Sequence, residues 1–519
     1  MTGGSTTASG DEWRIDWYWI GALGCALVVA LVQLVMIGGP LAGYHGYNES
    51  FYYTHALQNL ERGLADQILR PIDPNNPFLY PLALATWLRV FGPTVVAGRL
   101  LGVVLSVALV LLTFWIARQL YNKRIALLSA VFASVTPGVL LTGRNMQTDT
   151  LMLVLVLAAL GCFLKAVPSN SGRWAVAAGA FFGLSFVAKL PAVLFVVALA
   201  IWQVWRGRGW EWLKDRATWI TAAVAGAVGL PWYLARILGN TQFAGTQGAL
   251  ASNAAEWIGF DFLYRSVWSE QVWMLTPLVA IAAVLGVGVA VWKRTTADKL
   301  LLSIIAVFSV FFLFFNFHSY YFVALLPFFV ILASRALWTL WARSDRRVLA
   351  TAALVVVLAL PLSVLIMSGK KWTTVRIDEA PLLLERAGFD PDRTTIGMSP
   401  EAEGTFGPAV TYYFTSRGFP KPQLFADSPG EVNVGAGNRL AVLSFLLAGD
   451  APGVEMVAPL NIEMVAPVVF GQALRMDGGL FHFYAPGELA VERVGPWWQF
   501  GVERRFQGVD IVLYEVAAE

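Results

Sequence analysis

Long apolar runs separated by short polar segments fill the first two thirds of this chain. Runs of about 18 or more apolar residues read as membrane-spanning helices, and the pattern predicts about eleven of them. They fall at 17–38, 95–117, 124–142, 149–166, 174–188, 190–206, 217–236, 272–292, 299–317, 319–341 and 347–368. The fifth and sixth are short and meet near Lys189. Lys and Arg concentrate in alternate connections: Arg118/Lys123/Arg124, Lys165/Arg173, Arg206/Arg208/Lys214/Arg216, Lys293/Arg294/Lys299 and Arg343/Arg346/Arg347. Basic loops stay on the cytoplasmic side, so this alternation places the N-terminus inside. An odd number of spans then puts 39–94, 143–148, 237–271 and everything after 368 outside.

The polar segments have their own pattern. Residues 1–16 are rich in Gly, Ser and Thr and read as a disordered cytoplasmic tail. Phe51, Tyr52, His55, Ala56, Asn59 and Leu60 recur at helical spacing, which predicts an amphipathic helix over Glu49–Arg62 at the outer interface. Pro71, Pro74, Pro77 and Pro81 break the next stretch into turns, and Leu82–Phe91 reads as a half-buried helix. The aromatic excursion 237–271 suits an interface. After Met367, Gly, Pro and charge become frequent. Short runs at 394–398, 409–414, 439–445, 454–458, 481–484 and 511–515 read as strands, and 380–387 as a helix. The expected architecture is a polytopic α-helical membrane protein, residues 17–368, with a C-terminal extracytoplasmic mixed α/β domain at 369–519. Gly179-x-x-x-Gly183 has the spacing of close helix packing.

Composition agrees with the membrane class. Hydrophobic residues make up 57% and charged residues 14%, too few charges for a soluble domain of this length. The net charge of +3 follows from the basic loops and gives no reason to expect nucleic acid. Cys25 and Cys162 both fall inside predicted spans, so no disulfide framework is implied. Four histidines make a His-based metal cluster improbable, and the sequence does not indicate a divalent metal or any other cofactor. There is no phosphate-binding Gly-rich loop ending in Lys-Ser/Thr, no Gly-x-Ser-x-Gly elbow and no His-Glu-x-x-His. An activated substrate delivered within the membrane fits better than ATP.

The candidate chemistry sits at the outer mouths of the spans. Asn48-Glu49 follows the first span, and Asp149 opens the fourth. Asn48 reads as a helix cap with Glu49 favouring the helix dipole, or Glu49 is a partly desolvated general base. Asp149 has the same two readings. Arg144, with Gln147 and Thr148 nearby, is either a snorkelling side chain or a phosphate ligand. Lys189 lies on the outer side against the charge rule, which an anionic ligand would explain as well as snorkelling. His318 could bond a phosphate or an acid, and the adjacent Tyr320 and Tyr321 suit an aromatic belt. Carboxylates with cations at a lipid-facing mouth look like a site for a charged lipid headgroup.

Taken in order, several segments resemble the membrane glycosyltransferases of GT-C architecture, the group that includes the protein O-mannosyltransferases and the aminoarabinose transferases of lipid A. They are Asn48-Glu49 with Tyr52/Tyr53, Tyr80-Pro81 through Phe91-Gly92 to Arg99, Gly143-Arg144 through Asp149, Gly183 through Lys189, Leu230-Pro231-Trp232-Tyr233, and His318-Ser-Tyr-Tyr through Pro327. The resemblance runs from about residue 17 to about residue 340. It implies transfer of a sugar from a polyprenyl monophosphate carrier to a lipid, glycan or protein acceptor on the outer face, with inversion. Asp149 or Glu49 would be the base. Lys189, Arg144, His318 and Arg265 would hold the donor phosphate. Asn48, Tyr52, Tyr53 and Tyr321 would contact substrate. The family usually has Asp-Glu where this chain has Asn48-Glu49, so the base must be Glu49 or Asp149, or Asn48 merely orients the acceptor. The rivals are a transporter or flippase of lipid-linked sugars and a non-catalytic membrane assembly protein. Transporters place ionisable groups near the midplane, unlike this chain.

Overall fold

The structure, a computed structural model, describes residues 16–35, 46–72, 76–239, 274–314, 319–340, 380–386, 389–398, 400–424, 439–444, 454–462 and 509–516, with shorter pieces between them. Helix α1 (Trp17–Val35) is followed by three shorter helices, α2 (Gly46–Leu60), α3 (Leu64–Leu69) and α4 (Leu79–Phe91). The bundle continues with α5 (Val95–Leu120), α6 (Lys123–Ser134), α7 (Pro137–Arg144), α8 (Thr148–Ser169), α9 (Gly172–Phe186), α10 (Val193–Gln203) and α11 (Arg216–Gly239). It closes with α12 (Pro277–Lys293), α13 (Thr296–Phe314), a 3-10 turn at Ser319–Leu325, and α14 (Leu326–Leu340). Among the described residues, five helices are long and apolar enough to cross a membrane: Trp17–Val35, Val95–Leu120, Thr148–Ser169, Arg216–Leu238 and Phe322–Leu340.

The chain is thus a polytopic helical membrane protein, and its helix boundaries refine the expectations. The expected span 124–142 is two helices, broken at Val135-Thr136 ahead of Pro137. Proline lacks the N–H that would carry α6 onward, and it sits well at the start of α7. Helix α4 begins before Pro81, which its first turn tolerates for the same reason. The junction at Lys189 is a short 3-10 turn, Leu190–Ala192, leading into α10. The expected outer excursion 237–271 and the expected span 347–368 fall largely outside the described residues.

Local signals account for the ends of the helices. Thr94 caps α5 by accepting the Ala97 N–H at 3.1 Å. Asn122 caps α6, accepting from Arg124 and Ile125 at 3.0 Å each. Glycines set the closest helix contacts. Gly179 and Gly183 of α9 lie against Thr221, Val224 and Val228 of α11, with no room for a methyl group. The Gly-x-x-x-Gly spacing is therefore used for packing, as it reads.

One end of the bundle is strongly basic. There Asp16 accepts from Arg118 Nη1 at 2.6 Å, and this hydrogen bond holds the Asp16 carboxyl below its usual range. Asp298 is wholly buried at the same end. Its Oδ2 accepts the Thr295 N–H at 3.0 Å and the Thr295 hydroxyl at 2.6 Å, while Thr295 Oγ1 accepts the Asp298 N–H at 3.2 Å. This reciprocal box starts α13. Tyr121 donates to Asp298 Oδ1 at 2.5 Å, and Arg335 lies 3.7 Å from the same oxygen.

Among the described residues, the C-terminal segment contributes α15 (Ala380–Arg386), α16 (Pro400–Thr415) and seven strands: β1 (Thr394–Met398), β2 (Gln423–Leu424), β3 (Arg439–Ser444), β4 (Val454–Ile462), β5 (Glu492–Arg493), β6 (Val502–Glu503) and β7 (Val509–Val516). Five form one sheet in the order β2-β1-β3-β7-β4. β1 runs parallel to β2 and β3, whereas β7 runs antiparallel to β3 and β4. The strands expected at 394–398, 439–445, 454–458 and 511–515 are present, and that at 481–484 lies outside the described residues. The strand expected at 409–414 is the second half of α16. Its β-branched and aromatic residues favour a strand locally. Pro400 with Glu401 and Glu403 starts a helix instead, and Ala409, Val410 and Phe414 are buried on one face of it.

Candidate functional site

Two ion pairs stand at the end of the bundle opposite the basic one. Glu49 lies in the first turn of α2, which begins at Gly46, so Asn48 is a helical residue and not the cap. Arg99, in the first two turns of α5, donates Nε–H to Glu49 Oε1 at 2.8 Å and Nη2–H to Oε2 at 2.7 Å. Both side chains are almost fully buried, at 2% and 1% exposure. The third guanidinium nitrogen donates to the Ile37 carbonyl at 2.8 Å. The flat fork of Arg matches the carboxylate, so this pair rigidly joins the approaches to α2 and α5.

Asp149 and Lys189 form the second pair. Lys189 Nζ donates to Oδ1 at 2.7 Å and to Oδ2 at 2.8 Å. Asp149 is 7% exposed and Lys189 is 16% exposed. The cap of α8 is Gln147, which makes no side-chain capping bond, so Asp149 is the second helical residue and the capping reading does not describe it. The Lys189 connection is fastened on two sides. Val187 O accepts the Leu79 N–H at the start of α4, at 3.1 Å, and Phe186 O accepts the Tyr233 hydroxyl at 2.7 Å.

The 143–147 connection carries Arg144 and Gln147 to this site on a groove of small residues along α5. A methyl group at Gly102 would run into the Gly143 carbonyl, and one at Gly98 into the Met146 sulfur. Gly143 is itself pressed on Ser106. Gln33, wholly buried in α1, donates Nε2–H to Ser106 Oγ at 3.0 Å, Val139 O at 3.1 Å and Leu140 O at 3.0 Å. This amide ties α1, α5 and α7 together.

The two pairs share a neighbourhood. Tyr80 of α4 is fully buried and within electrostatic reach of both Glu49 and Asp149. Its ring meets Tyr52 edge-on, with centroids 5.3 Å apart. Arg144, 2% exposed, is within reach of both Glu49 and Arg99. Two side chains here are buried with polar atoms that make no hydrogen bond among the described residues, the Gln147 amide and the Thr150 hydroxyl, while the Tyr80 hydroxyl lies against the Gln147 backbone. Buried polar groups are nearly always bonded, so such a cluster marks a place for a hydrogen-bonding ligand.

The expected residues are therefore partly assembled. Glu49, Arg144, Asp149, Lys189 and Tyr52 lie in one region, with Asn48 half-buried on the same helix as Glu49. Tyr53 does not line this region. It is fully buried, its hydroxyl donates to Pro93 O at 2.9 Å, and its ring packs on Tyr412 of α16. His318 and Arg265 lie outside the described residues, as does the side chain of Tyr321, which sits in the 3-10 turn. Arg99 and Tyr80 had appeared only as parts of motifs. An arginine inside a long apolar helix was the available signal for Arg99, since a charge there needs a partner. Among the described residues, no three His, Cys, Asp or Glu side chains gather as a metal site would require.

Residues 75–234 match the model of the dolichyl-phosphate-mannose-protein mannosyltransferase family, and this segment carries Tyr80, Arg99, Arg144, Asp149 and Lys189. No curated protein matches the chain. The crystal structure of ArnT from Cupriavidus metallidurans bound to undecaprenyl phosphate is similar in fold, with a TM-score of 0.58 at 15% identity over 82% of this chain and 93% of that one. The oligosaccharyltransferase of Archaeoglobus fulgidus, in its apo form, gives a TM-score of 0.54 at 14% identity over 76% of this chain and 64% of that one. Its complex with an inhibitory peptide and a dolichol-phosphate gives 0.52 at 13% identity, over 79% and 65%. At such identities the likeness establishes the fold. The matched segment thus resembles that mannosyltransferase family, and the fold is similar to those of ArnT and the archaeal oligosaccharyltransferase.

Proposed function

We propose that this chain is a polyprenyl-phosphate-sugar-dependent glycosyltransferase, acting at the end of the bundle that holds the two ion pairs. The observation that carries this reading is the gathering of charged side chains at that end: among the described residues, Arg99, Arg144 and Lys189 lie there with Glu49 and Asp149. A sugar joined to a polyprenyl phosphate is a phosphodiester with a single negative charge, a ligand that arginine and lysine side chains hold well. The unbonded Gln147 and Thr150 groups, with the Tyr80 hydroxyl beside them, supply donors and acceptors for sugar hydroxyls. The family match and the ArnT and oligosaccharyltransferase folds, solved with undecaprenyl phosphate and dolichol-phosphate, support the donor class.

In this reading Asp149 is the base. Glu49 is sealed under Arg99 and cannot reach an acceptor, so it positions the site. Asp149 is paired with Lys189, whose side chain is partly exposed. An incoming phosphate competes for Lys189 and draws it from the carboxylate. Asp149 then takes the proton of an acceptor hydroxyl or amine. The acceptor attacks the anomeric carbon, the bond to phosphate oxygen breaks with inversion, and Lys189 and Arg144 hold the charge on the leaving polyprenyl phosphate. Tyr52 borders the sugar, and His318, Arg265 and Tyr321 join the phosphate and sugar contacts as the resemblance implies. The basic loops belong to the cytoplasmic face, which puts this site, and the sheet-forming C-terminal segment as an α/β domain, on the outer face of the cell membrane. The acceptor is a lipid, glycan or protein.

Purified protein in lipid vesicles tests this against a panel of polyprenyl-phosphate sugars with extracts of outer-face lipids and glycans. Acceptor-dependent release of polyprenyl phosphate is expected with at least one donor. Movement of an intact lipid-linked sugar across the vesicle with no bond cleavage would favour the flippase reading instead.

A further inference from the structure

Two tyrosines of the C-terminal segment reach back to the ion pair of α2 and α5. Helix α16 packs along α2. The hydroxyl of Tyr413 accepts the Leu41 N–H at 2.8 Å, and Leu41 is fully buried. Four residues earlier, the Ile37 carbonyl receives Arg99 Nη1. The neighbouring Tyr412 meets Tyr53 edge-on, with ring centroids 5.3 Å apart at 77°. Tyr53 in turn donates to Pro93 O, next to the Thr94 cap of α5. One helix thus touches the chain entering α2 and, through Tyr53, the chain entering α5. These are the two backbones that Glu49 and Arg99 join. Tyr413 is also near enough to Arg99 to bear on its charge.

Simple packing would need only the rings. The Tyr413 hydroxyl does something more specific, since it satisfies a buried backbone donor in the segment that also holds Arg99. We propose that α16 is a working part of the transfer site, with Tyr412 and Tyr413 as positioning residues that keep Glu49 and Arg99 in register. The C-terminal segment then sets the rate of transfer and is more than an attachment. This rests on the transfer reading above. A loosened Glu49–Arg99 pair lets α2 shift against α5, which moves Tyr52 against Tyr80 and alters the field at Arg144.

The test uses the full chain. Tyr413→Phe keeps the ring and removes the acceptor, and Tyr412→Leu removes the ring contact to Tyr53. Each is expected to lower kcat for transfer by about tenfold while leaving the donor KM little changed, in line with one lost orienting hydrogen bond or contact. Adding Arg99→Lys to Tyr413→Phe should cost little beyond either change alone, because both act through one pair. Lower melting temperature with unchanged kcat, or fully additive losses, would overturn the proposal. Hydrogen exchange reads the clamp without any transfer assay: the Leu41 and α2 amides should exchange faster in Tyr413→Phe. Wild-type protein that transfers no sugar would refute the transfer reading alone, whereas unchanged protection of those amides would refute the clamp alone.

Discussion

The two ends of the helical bundle differ in how far their cations are buried. At the basic end, cations lie over aromatic faces: Lys123 on Tyr18, Arg124 on Trp338, and Lys165 on Trp115 and Trp174. Arg206 on Trp202 and Lys293 on Trp292 follow the same rule. Rings and long side chains of this kind hold a helix end at a membrane surface. At the other end, Arg99, Arg144 and Lys189 are buried or nearly so, and two of them grip carboxylates with two hydrogen bonds each. The acids differ as well. Asp298 at the basic end gives one oxygen to its own helix start, through Thr295, and the other to the Tyr121 hydroxyl. Asp149 occupies the first turn of α8, yet both its oxygens go to Lys189. One buried Asp is explained by capping and the other is not, which separates structure from chemistry more sharply than burial does.

The largest effect that could break this comparison is expected at Arg99. Arg99→Ala leaves the Glu49 carboxylate buried and unpaired, so the protein should lose about 3–5 kcal/mol of stability. Thermal unfolding in detergent against wild type measures it. A change within experimental scatter would mean that the pair is not sealed as described.

Next comes the groove on α5. Gly102→Ala drives a methyl group into the Gly143 carbonyl, and overpacking of this kind costs about 1–3 kcal/mol. The displaced 143–147 connection also carries Asp149 out of place, so transfer should fall by about tenfold to a hundredfold. A variant that transfers normally would show that this connection does not set the site. The smallest effect is predicted at the basic end. Lys165→Met removes a cation from two tryptophan faces and should cost about 0.5–1 kcal/mol, with transfer per folded molecule unchanged. A large loss of transfer there would erase the distinction between the two ends.

Much of this was legible in the sequence because membrane patterns are coarse and strong. Apolar runs, alternating basic loops and the glycine pair at 179 and 183 each have one dominant physical cause. The charge rule pointed to an anionic ligand for Lys189, and the anion beside it in the structure is Asp149. What stayed hidden was long-range. Nothing local joins Glu49 to Arg99, fifty residues apart. Nor does anything local mark Gln33 as the amide that binds α1 to α7, or Tyr53 as a partner of Tyr412 rather than of a sugar. The region 409–414 misled because β-propensity is a weak signal against a proline-started helix. The break at Val135-Thr136 was visible in Pro137 but lost within a continuous apolar run.

The central claim is that Asp149, and not Glu49, receives the acceptor proton. Single-turnover transfer from a saturating polyprenyl-phosphate sugar, measured for wild type, Asp149→Asn and Glu49→Gln, tests it most directly. Asp149→Asn should fold and still bind donor, yet transfer about a hundredfold or more slowly, the usual share of a positioned base. Glu49→Gln should lose stability more than it loses transfer per folded molecule. Near-normal transfer by Asp149→Asn would contradict the account, and a loss of transfer confined to folded Glu49→Gln would move the base to Glu49.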